Sequence, residues 1–258
     1  MNAASCDCPV LGQTAVAPDI RRLTVRWPDS ARAPRAGQFF MLRAWAQDEA
    51  PLLSRPISVH DWDAAAGALT FLYQIKGGGT QKLAGLAPGD SLRLTGPCGN
   101  GFDAAALAQN GAARIAVVGG GIGTAPLLLL CRELAAAGAR PDLYAGFRDE
   151  PYGLEAFAAC CGTIRLATDS GRAGYHGLVT ELLRPDRYDL VLACGPTVMM
   201  RGVFVLCRPS GVRCLVSLER KMACGLGACL GCTCRTAAGP RTVCRDGPVF
   251  EAGEVFAE

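Results

Sequence analysis

The chain has 258 residues, of which 50% are hydrophobic and 19% charged. At roughly 150 residues per domain that length predicts two domains, and the composition excludes a disordered chain. Lys+Arg 26 against Asp+Glu 23 leaves a formal charge of +3, which argues against an electrostatic nucleic-acid binder.

In chain order, residues 1–18 lack a basic start followed by an apolar stretch, so no secretory leader is expected. The next eighty residues predict short strands at Leu23–Trp27, Gln38–Arg43, Pro56–His60, Leu69–Ile75 and Ser91–Thr95, with one short helix from Thr80 to Leu86. Short strands at close spacing predict an antiparallel barrel or sandwich. The boundary is expected near Asn110–Gly111. Beyond it a strand at Ile115–Val118 meets a Gly-rich turn, then a helix with Thr124 as N-cap, Pro126 in its first turn and Gly138 past its end. Strands at Asp142–Phe147, Thr163–Thr168, Tyr188–Cys194 and Arg213–Leu218 alternate with helices at Leu154–Cys160, Leu178–Arg184 and Thr197–Cys207. That alternation predicts a doubly wound parallel sheet. The uncharged run Ile115–Cys131 is interrupted by glycines and Pro126 and falls short of the roughly 20 residues a membrane span needs. No membrane segment is expected. The division is therefore an all-β barrel over 1–110, an α/β domain over 111–218 and a cysteine-rich segment over 219–258.

Fourteen cysteines without a leader point to a reducing cytoplasm and one cysteine-ligated metal site. Cys131, Cys194 and Cys207 lie in apolar elements, where a thiol packs as a small hydrophobe. Cys224, Cys229 and Cys232 carry the C-x4-C-x2-C spacing of plant-type [2Fe–2S] ligation, with Cys244 as a distant fourth. Gly225, Gly227, Ala228 and Gly231 let the chain curl so that backbone N–H groups face sulfur. Arg220, Lys221, Arg235, Arg241 and Arg245, against Glu219 alone, would offset the two negative charges of an oxidised cluster. A structural zinc site is the alternative, but zinc ribbons use paired C-x2-C knuckles and only one is present. By spacing alone, Cys234 can replace Cys244. Cys6 and Cys8 form either a small metal or redox pair or two idle thiols on a frayed terminus.

Two glycine loops suggest bound nucleotides. Gly119-Gly120-Gly121-Ile122-Gly123-Thr124 joins a strand to a helix N-terminus, where close backbone approach and exposed N–H groups suit a pyrophosphate. Thr124 stands where the dinucleotide fingerprint has its third glycine. Lys76-Gly77-Gly78-Gly79-Thr80 repeats the same arrangement in the β domain, with Thr80 as the expected cap. Two such loops in two domains are an enzyme's arrangement.

Arg55-Pro56-Ile57-Ser58, then Gly79-Thr80, Gly119–Gly123 and Cys194-Gly195-Pro196 in that order resemble the ferredoxin-reductase-type flavoproteins. The run Met222-Ala-Cys-Gly-Leu-Gly-Ala-Cys-Leu-Gly-Cys232, followed by Val243–Phe250, is similar to one branch, the electron transfer subunits of NAD-dependent (type B) dihydroorotate dehydrogenase. The resemblance runs from about Val16 onward. It implies that Arg55 faces the FAD pyrophosphate and Ser58 the isoalloxazine edge, with Pro56 and Ile57 between them. It implies also that Leu72, Tyr73 and Gln74 line the flavin, while Gly79 and Thr80 hold phosphate. NAD(H) is implied at Gly119, Gly121, Gly123 and Thr124, and at Cys194, Gly195 and Pro196, where its nicotinamide reaches the flavin. Several relatives carry a basic residue where Gln74 stands. Arg148 and Asp149 follow the second strand of the α/β domain and can meet the adenosine ribose. Carrying both signs, they do not distinguish NAD from NADP.

NAD⁺ takes two electrons as a hydride, whereas a [2Fe–2S] centre carries one at a time, so a flavin between them is chemically required. No acid–base dyad or nucleophile is visible. The resemblance implies a heterotetramer, two of each chain, with an FMN-containing dihydroorotate dehydrogenase catalytic subunit in pyrimidine biosynthesis. Two rivals share some of these features: a reductase subunit of a sulfide dehydrogenase or transhydrogenase-like complex, or a free-standing ferredoxin-type reductase; and a zinc-stabilised binding protein with vestigial nucleotide loops.

Overall fold

Alternating burial builds the N-terminal half. The computed structural model describes residues 3–28, 30–109 and 114–256. Strands β1 (Ala4–Ala17), β2 (Ile20–Arg26), β3 (Phe39–Arg43), β4 (Arg55–Asp63), β5 (Ala68–Gln74) and β6 (Ser91–Cys98) close an antiparallel barrel in the order β1-β2-β5-β4-β3-β6. Along β6, Leu92 and Leu94 point inward while Ser91 and Arg93 face solvent, as a two-residue period requires. Phe40 anchors the interior, edge-on to Trp27 at 4.8 Å and to Phe71 at 5.8 Å between ring centroids. Helix α1 (Gly78–Ala84) leaves the barrel between β5 and β6, and α2 (Ala104–Gln109) follows it. The boundary expected near Asn110–Gly111 lies outside the described residues.

Strand β1 went unpredicted although Ala4, Cys6, Cys8 and Val10 alternate with Ser5, Asp7 and Pro9, because the two cysteines read as a separate pair on the terminus. It corrects the idea of a frayed terminus: Cys6 pairs with Leu94 and Cys8 with Leu92, and their sulfurs lie 3.5 Å apart.

The α/β unit holds strands β7 (Ile115–Gly120), β8 (Asp142–Phe147), β9 (Ile164–Thr168), β10 (Tyr175–His176), β11 (Leu190–Cys194) and β12 (Arg213–Ser217), all parallel. Helices α3 (Leu127–Ala136), α4 (Val179–Leu182) and α5 (Thr197–Cys207) pack against them. The C-terminal segment adds a hairpin, β13 (Thr233–Thr236) with β14 (Gly239–Thr242), then β15 (Val249–Glu251) and α6 (Ala252–Phe256). β15 pairs antiparallel with β12, completing a seven-stranded sheet in the order β10-β9-β8-β7-β11-β12-β15. Its topological switch lies between β7 and β11, where such sheets open a crevice at their strand ends.

Four local expectations change. Leu154–Cys160 forms a 3-10 segment over Glu155–Ala159, and Leu178–Arg184 shortens to α4. Such short runs recover too few hydrogen bonds to extend an α-helix nucleus. Thr124 is no N-cap: it ends a 3-10 turn over Gly121–Thr124, its hydroxyl donates to the Gly121 carbonyl at 2.8 Å, and Pro126 precedes α3. Thr80 likewise lies inside α1, whose N-cap is Gly77. From there its hydroxyl oxygen accepts the N–H groups of Lys76 (2.9 Å) and Gly77 (3.1 Å).

Polar ties hold the units together. The His60 ring Nδ1 meets the Ala125 carbonyl at 2.6 Å, and burial lowers the pKa of His60, so the neutral ring donates. Glu133 accepts the Ala36 N–H at 3.1 Å, and Asn100 Nδ2 donates to the Val249 carbonyl at 2.8 Å. Among the described residues, no helix is long and apolar enough to cross a membrane.

Candidate functional site

A cleft of about 240 Å³ opens where barrel, α/β unit and C-terminal segment meet. From β4 come Arg55, Pro56, Ile57 and Ser58, and from β5 Leu72, Tyr73 and Gln74, with Thr80 from α1. Gly79 sits at its rim: a Cβ there would come within 3.0 Å of the Arg55 side chain. All the barrel residues expected around a flavin thus converge on one place. Arg55 Nε is buried without a hydrogen-bond partner, while its Nη2 donates to the Leu53 carbonyl at 2.5 Å. An orphaned guanidinium donor in a cleft beside a glycine loop fits a phosphate oxygen. Tyr73 and Gln74 are already engaged: the Tyr73 hydroxyl donates to Gln13 at 3.0 Å, and Gln74 donates to Asp19. They contribute walls rather than free polar groups.

The opposite wall was not foreseen. Ile122, Ala125 and Pro126 close it from the nucleotide loop, and Leu218, Glu219, Arg220 and Met222 from the chain leaving β12. Phe39, Lys76 and Pro248 complete the lining. Met222 was visible in the cysteine motif, but nothing in sequence said that it would reach the flavin side.

The second glycine loop lies at the strand ends. Register places Cys194 beside Gly119, and Gly195 continues against Gly123. Burial raises the pKa of the Cys194 thiol, and the nearby Glu219 carboxylate adds to this, while the Ser217 hydroxyl opposes it. The thiol therefore stays protonated at neutral pH. Gly119, Gly121, Gly123 and Thr124 thus share one strand-end corner with Cys194, Gly195 and Pro196, and Ile122 of the same loop lines the cleft.

The cysteine loop packs against β3 of the barrel, next to the cleft. Gly225 (φ +71) and Gly227 (φ +82) adopt left-handed backbone, and a Cβ on Gly225 would strike Met41 of β3 at 2.6 Å. The four cysteines stand as two pairs. Cys232 Sγ lies 3.2 Å from Cys244 Sγ, and the Cys229 thiol hydrogen-bonds Cys224. Among the described residues, no group of three Cys, His, Asp or Glu side chains stands ready to hold a metal ion. The backbone nevertheless suits thiolate sulfur. Leu226 N–H donates to Cys224 Sγ at 3.3 Å, Gly227 N–H to Cys244 Sγ at 3.1 Å and Cys244 N–H to Cys232 Sγ at 3.4 Å. Burial opposes ionisation of Cys224, but N–H groups of Leu226, Cys229 and Ala228 outweigh it and bring the thiol down to about 6. The donor set and its N–H cradle fit an iron–sulfur cluster, reached by closing the two pairs. Cys234 is buried on β13.

Barrel, switch-point crevice and the cleft between them define a flavin-dependent reductase of the ferredoxin-reductase type. Residues 7–102 match the oxidoreductase FAD-binding domain, and residues 219–256 match the iron–sulfur cluster binding domain of dihydroorotate dehydrogenase B. The chain is 42% identical over 222 residues to the dihydroorotate dehydrogenase B (NAD(+)) electron transfer subunit of Clostridium acetobutylicum, covering 86% of each. It is 37% identical over 253 residues to that of Caldanaerobacter subterraneus subsp. tengcongensis, covering 96% of each. Among solved structures, a chain of an NADH-dependent reduced ferredoxin–NADP oxidoreductase superposes with a TM-score of 0.85 at 27% identity, covering 99% of this chain and 91% of that one. The ferredoxin reductase of a carbazole 1,9a-dioxygenase shares the fold, with a TM-score of 0.65 at 18% identity over 82% of this chain and 67% of that one. The chain belongs to the family of dihydroorotate dehydrogenase B electron transfer subunits.

Proposed function

We propose that this chain carries electrons from the FMN of a dihydroorotate-oxidising catalytic subunit through a [2Fe–2S] cluster and FAD to NAD⁺, in pyrimidine biosynthesis. One observation carries the reading: the segment Leu218–Met222 that walls the flavin cleft runs straight into Cys224, while the nucleotide loop walls the same cleft from the other side. A flavin exchanges a hydride with nicotinamide and single electrons with an iron–sulfur centre, which joins these two neighbours chemically.

The chain's own residues position and tune. Arg55, with the N–H groups near Gly79 and Thr80, binds the FAD pyrophosphate, and Ser58 faces the ring edge beside Pro56 and Ile57. Leu72, Tyr73 and Gln74 wall the flavin. Gly119, Gly121, Gly123 and Thr124 admit the NAD pyrophosphate, and Cys194, Gly195 and Pro196 border the nicotinamide. Cys224, Cys229, Cys232 and Cys244 ligate the cluster, with Arg220 and Arg245 nearby to offset its charge. The domain division at residues 110 and 218 follows the same assignment, with β15 of the third segment completing the sheet of the second. A heterotetramer with two catalytic subunits, docked near the cluster, and a cytoplasmic setting complete the reading. None of the fourteen cysteines is paired in a disulfide, which suits a reducing compartment.

The test is reconstitution. Dihydroorotate should drive NADH formation only when this chain and an FMN-containing catalytic subunit are combined. Turnover of dihydroorotate by this chain alone would contradict the assignment. A separate check concerns Arg55. Arg55→Ala should weaken FAD retention roughly 10- to 100-fold, because a charge-assisted hydrogen bond contributes about 1.5–3 kcal/mol. The flavin-to-protein ratio after gel filtration reads this out.

A further inference from the structure

The two faces of β3 pack against different neighbours. Phe40 and Leu42 point into the barrel, while Phe39 and Met41 join the apolar layer that also holds Cys98, Cys232 and Cys244. Phe39 lines the flavin cleft, and register sets it beside Ser58 of β4 and Cys98 of β6. Met41 follows two residues later on the same face, about 7 Å along the strand, beside Pro56. There it meets the cysteine loop: a Cβ on Gly225 would lie 2.6 Å from Met41 Cγ, 2.9 Å from Met41 Sδ and 3.8 Å from Cys98 Sγ. One layer of side chains thus stands between the flavin cleft and the loop that follows Cys224.

That layer is dry. Phe39, Met41 and Cys98 are all buried, and the Cys98 thiol donates to the Thr95 carbonyl at 3.5 Å, so no polar hydrogen faces the loop from it. The ligand thiols divide accordingly: Cys232 and Cys244 are buried in this layer, whereas Cys229 is exposed. A cluster on four thiolates carries two negative charges when oxidised and a third when reduced. An apolar, water-free wall opposes the added charge, and a polar group in the wall relieves that opposition. Solvent exposure and nearby dipoles are what set the potential of such centres.

We infer that Met41 and Cys98 form a dry partition between cluster and flavin that holds the cluster's reduction potential down. The inference rests on the function proposed above. Both are positioning residues: they touch the cysteine loop and act on the cluster through the medium they provide. Their effect has a direction, because a lower potential makes the cluster the better one-electron donor to the flavin. That is the direction in which electrons run toward NAD⁺.

Potentiometric titration of the FAD- and cluster-loaded chain tests this without turnover, following the reduced cluster by electron paramagnetic resonance and the flavin by absorbance. Met41→Gln places an amide in the partition and should raise the cluster midpoint by about tenfold in equilibrium constant, which is about 59 mV for one electron. Cys98→Ser should raise it in the same sense. Met41→Leu conserves volume and stays apolar, so it should keep the parent midpoint. The flavin midpoint should move by less than about threefold in each variant. An unchanged cluster midpoint in either polar variant overturns the inference, as does an equal shift of the flavin. A rise in Met41→Leu as large as in Met41→Gln overturns it too, since packing rather than polarity would then set the potential. Should one polar variant fail to retain iron, the other decides by the same criterion. Loss of iron from both overturns the inference, because the two residues would then hold the loop rather than tune the cluster. A parent chain whose cluster titrates but which fails to oxidise NADH counts against the proposed function, and the midpoints still decide on the partition.

Discussion

Cys232→Ser should strip the chain of iron while leaving its flavin in place. Cys232 is buried, 2% exposed, with its sulfur 3.2 Å from that of Cys244 and facing the Cys244 N–H at 3.4 Å. A serine oxygen on a shorter bond is a harder, poorly ionised ligand and cannot reproduce thiolate donation at that position. Losing even an outer partner of a metal ligand costs about 10–100-fold, so loss of a ligand should lower dihydroorotate-driven NADH formation in the reconstituted complex by about 100-fold or more. NADH-driven dye reduction should fall by less than about tenfold, because the flavin cleft is lined by other residues. Iron analysis, flavin absorbance and the two rates together check the prediction. Equal loss of both rates with flavin retained would place the cluster elsewhere in the sequence of transfers.

Gly123→Val should instead damage the NAD side. A Cβ at Gly123 would lie 2.5 Å from Gly195 Cα, 2.6 Å from the Cys194 carbonyl oxygen and 2.7 Å from Gly195 N. These are backbone atoms at the end of a buried parallel strand, so they can yield only if β11 or the nucleotide loop shifts. A displacement of about 1 Å between reacting groups lowers rates on the order of 100-fold. NADH-dependent dye reduction should fall by that factor, while the flavin and iron–sulfur absorbance stay as in the parent. Loss of the flavin spectrum as well would show that the substitution unfolds the cleft rather than the NAD edge.

These effects separate because the site is assembled from three stretches of chain, each with its own local logic, and that logic was largely readable. Arg55 to Ser58, Leu72 to Gln74 and Thr80 were expected around a flavin, and one cleft collects them. The glycine loop and Cys194 were expected near NAD, and strand register places them side by side. What stayed hidden depends on tertiary contact. Strand β1 alternates through Cys6, Asp7, Cys8 and Pro9, but Pro9 and Gly12 break the run of strand formers, and pairing with β6 secures it. β15 is three residues long and gains its place from β12 and from Asn100, 149 positions before Val249. Thr80 and Thr124 read as caps because Ser and Thr favour helix starts, yet each hydroxyl serves a turn inside or ahead of its helix. The His60 contact to Ala125, which ties the barrel to the nucleotide loop, joins residues 65 positions apart and leaves no local pattern.

The central claim is an order: nicotinamide, then flavin, then cluster. Anaerobic rapid mixing of the fully loaded chain with NADH tests it most directly, following flavin and iron–sulfur absorbance together and repeating the run on a flavin-stripped sample. The flavin should bleach first, the cluster should follow, and the stripped sample should leave its cluster oxidised. A cluster that NADH reduces at the same rate without flavin would contradict the account.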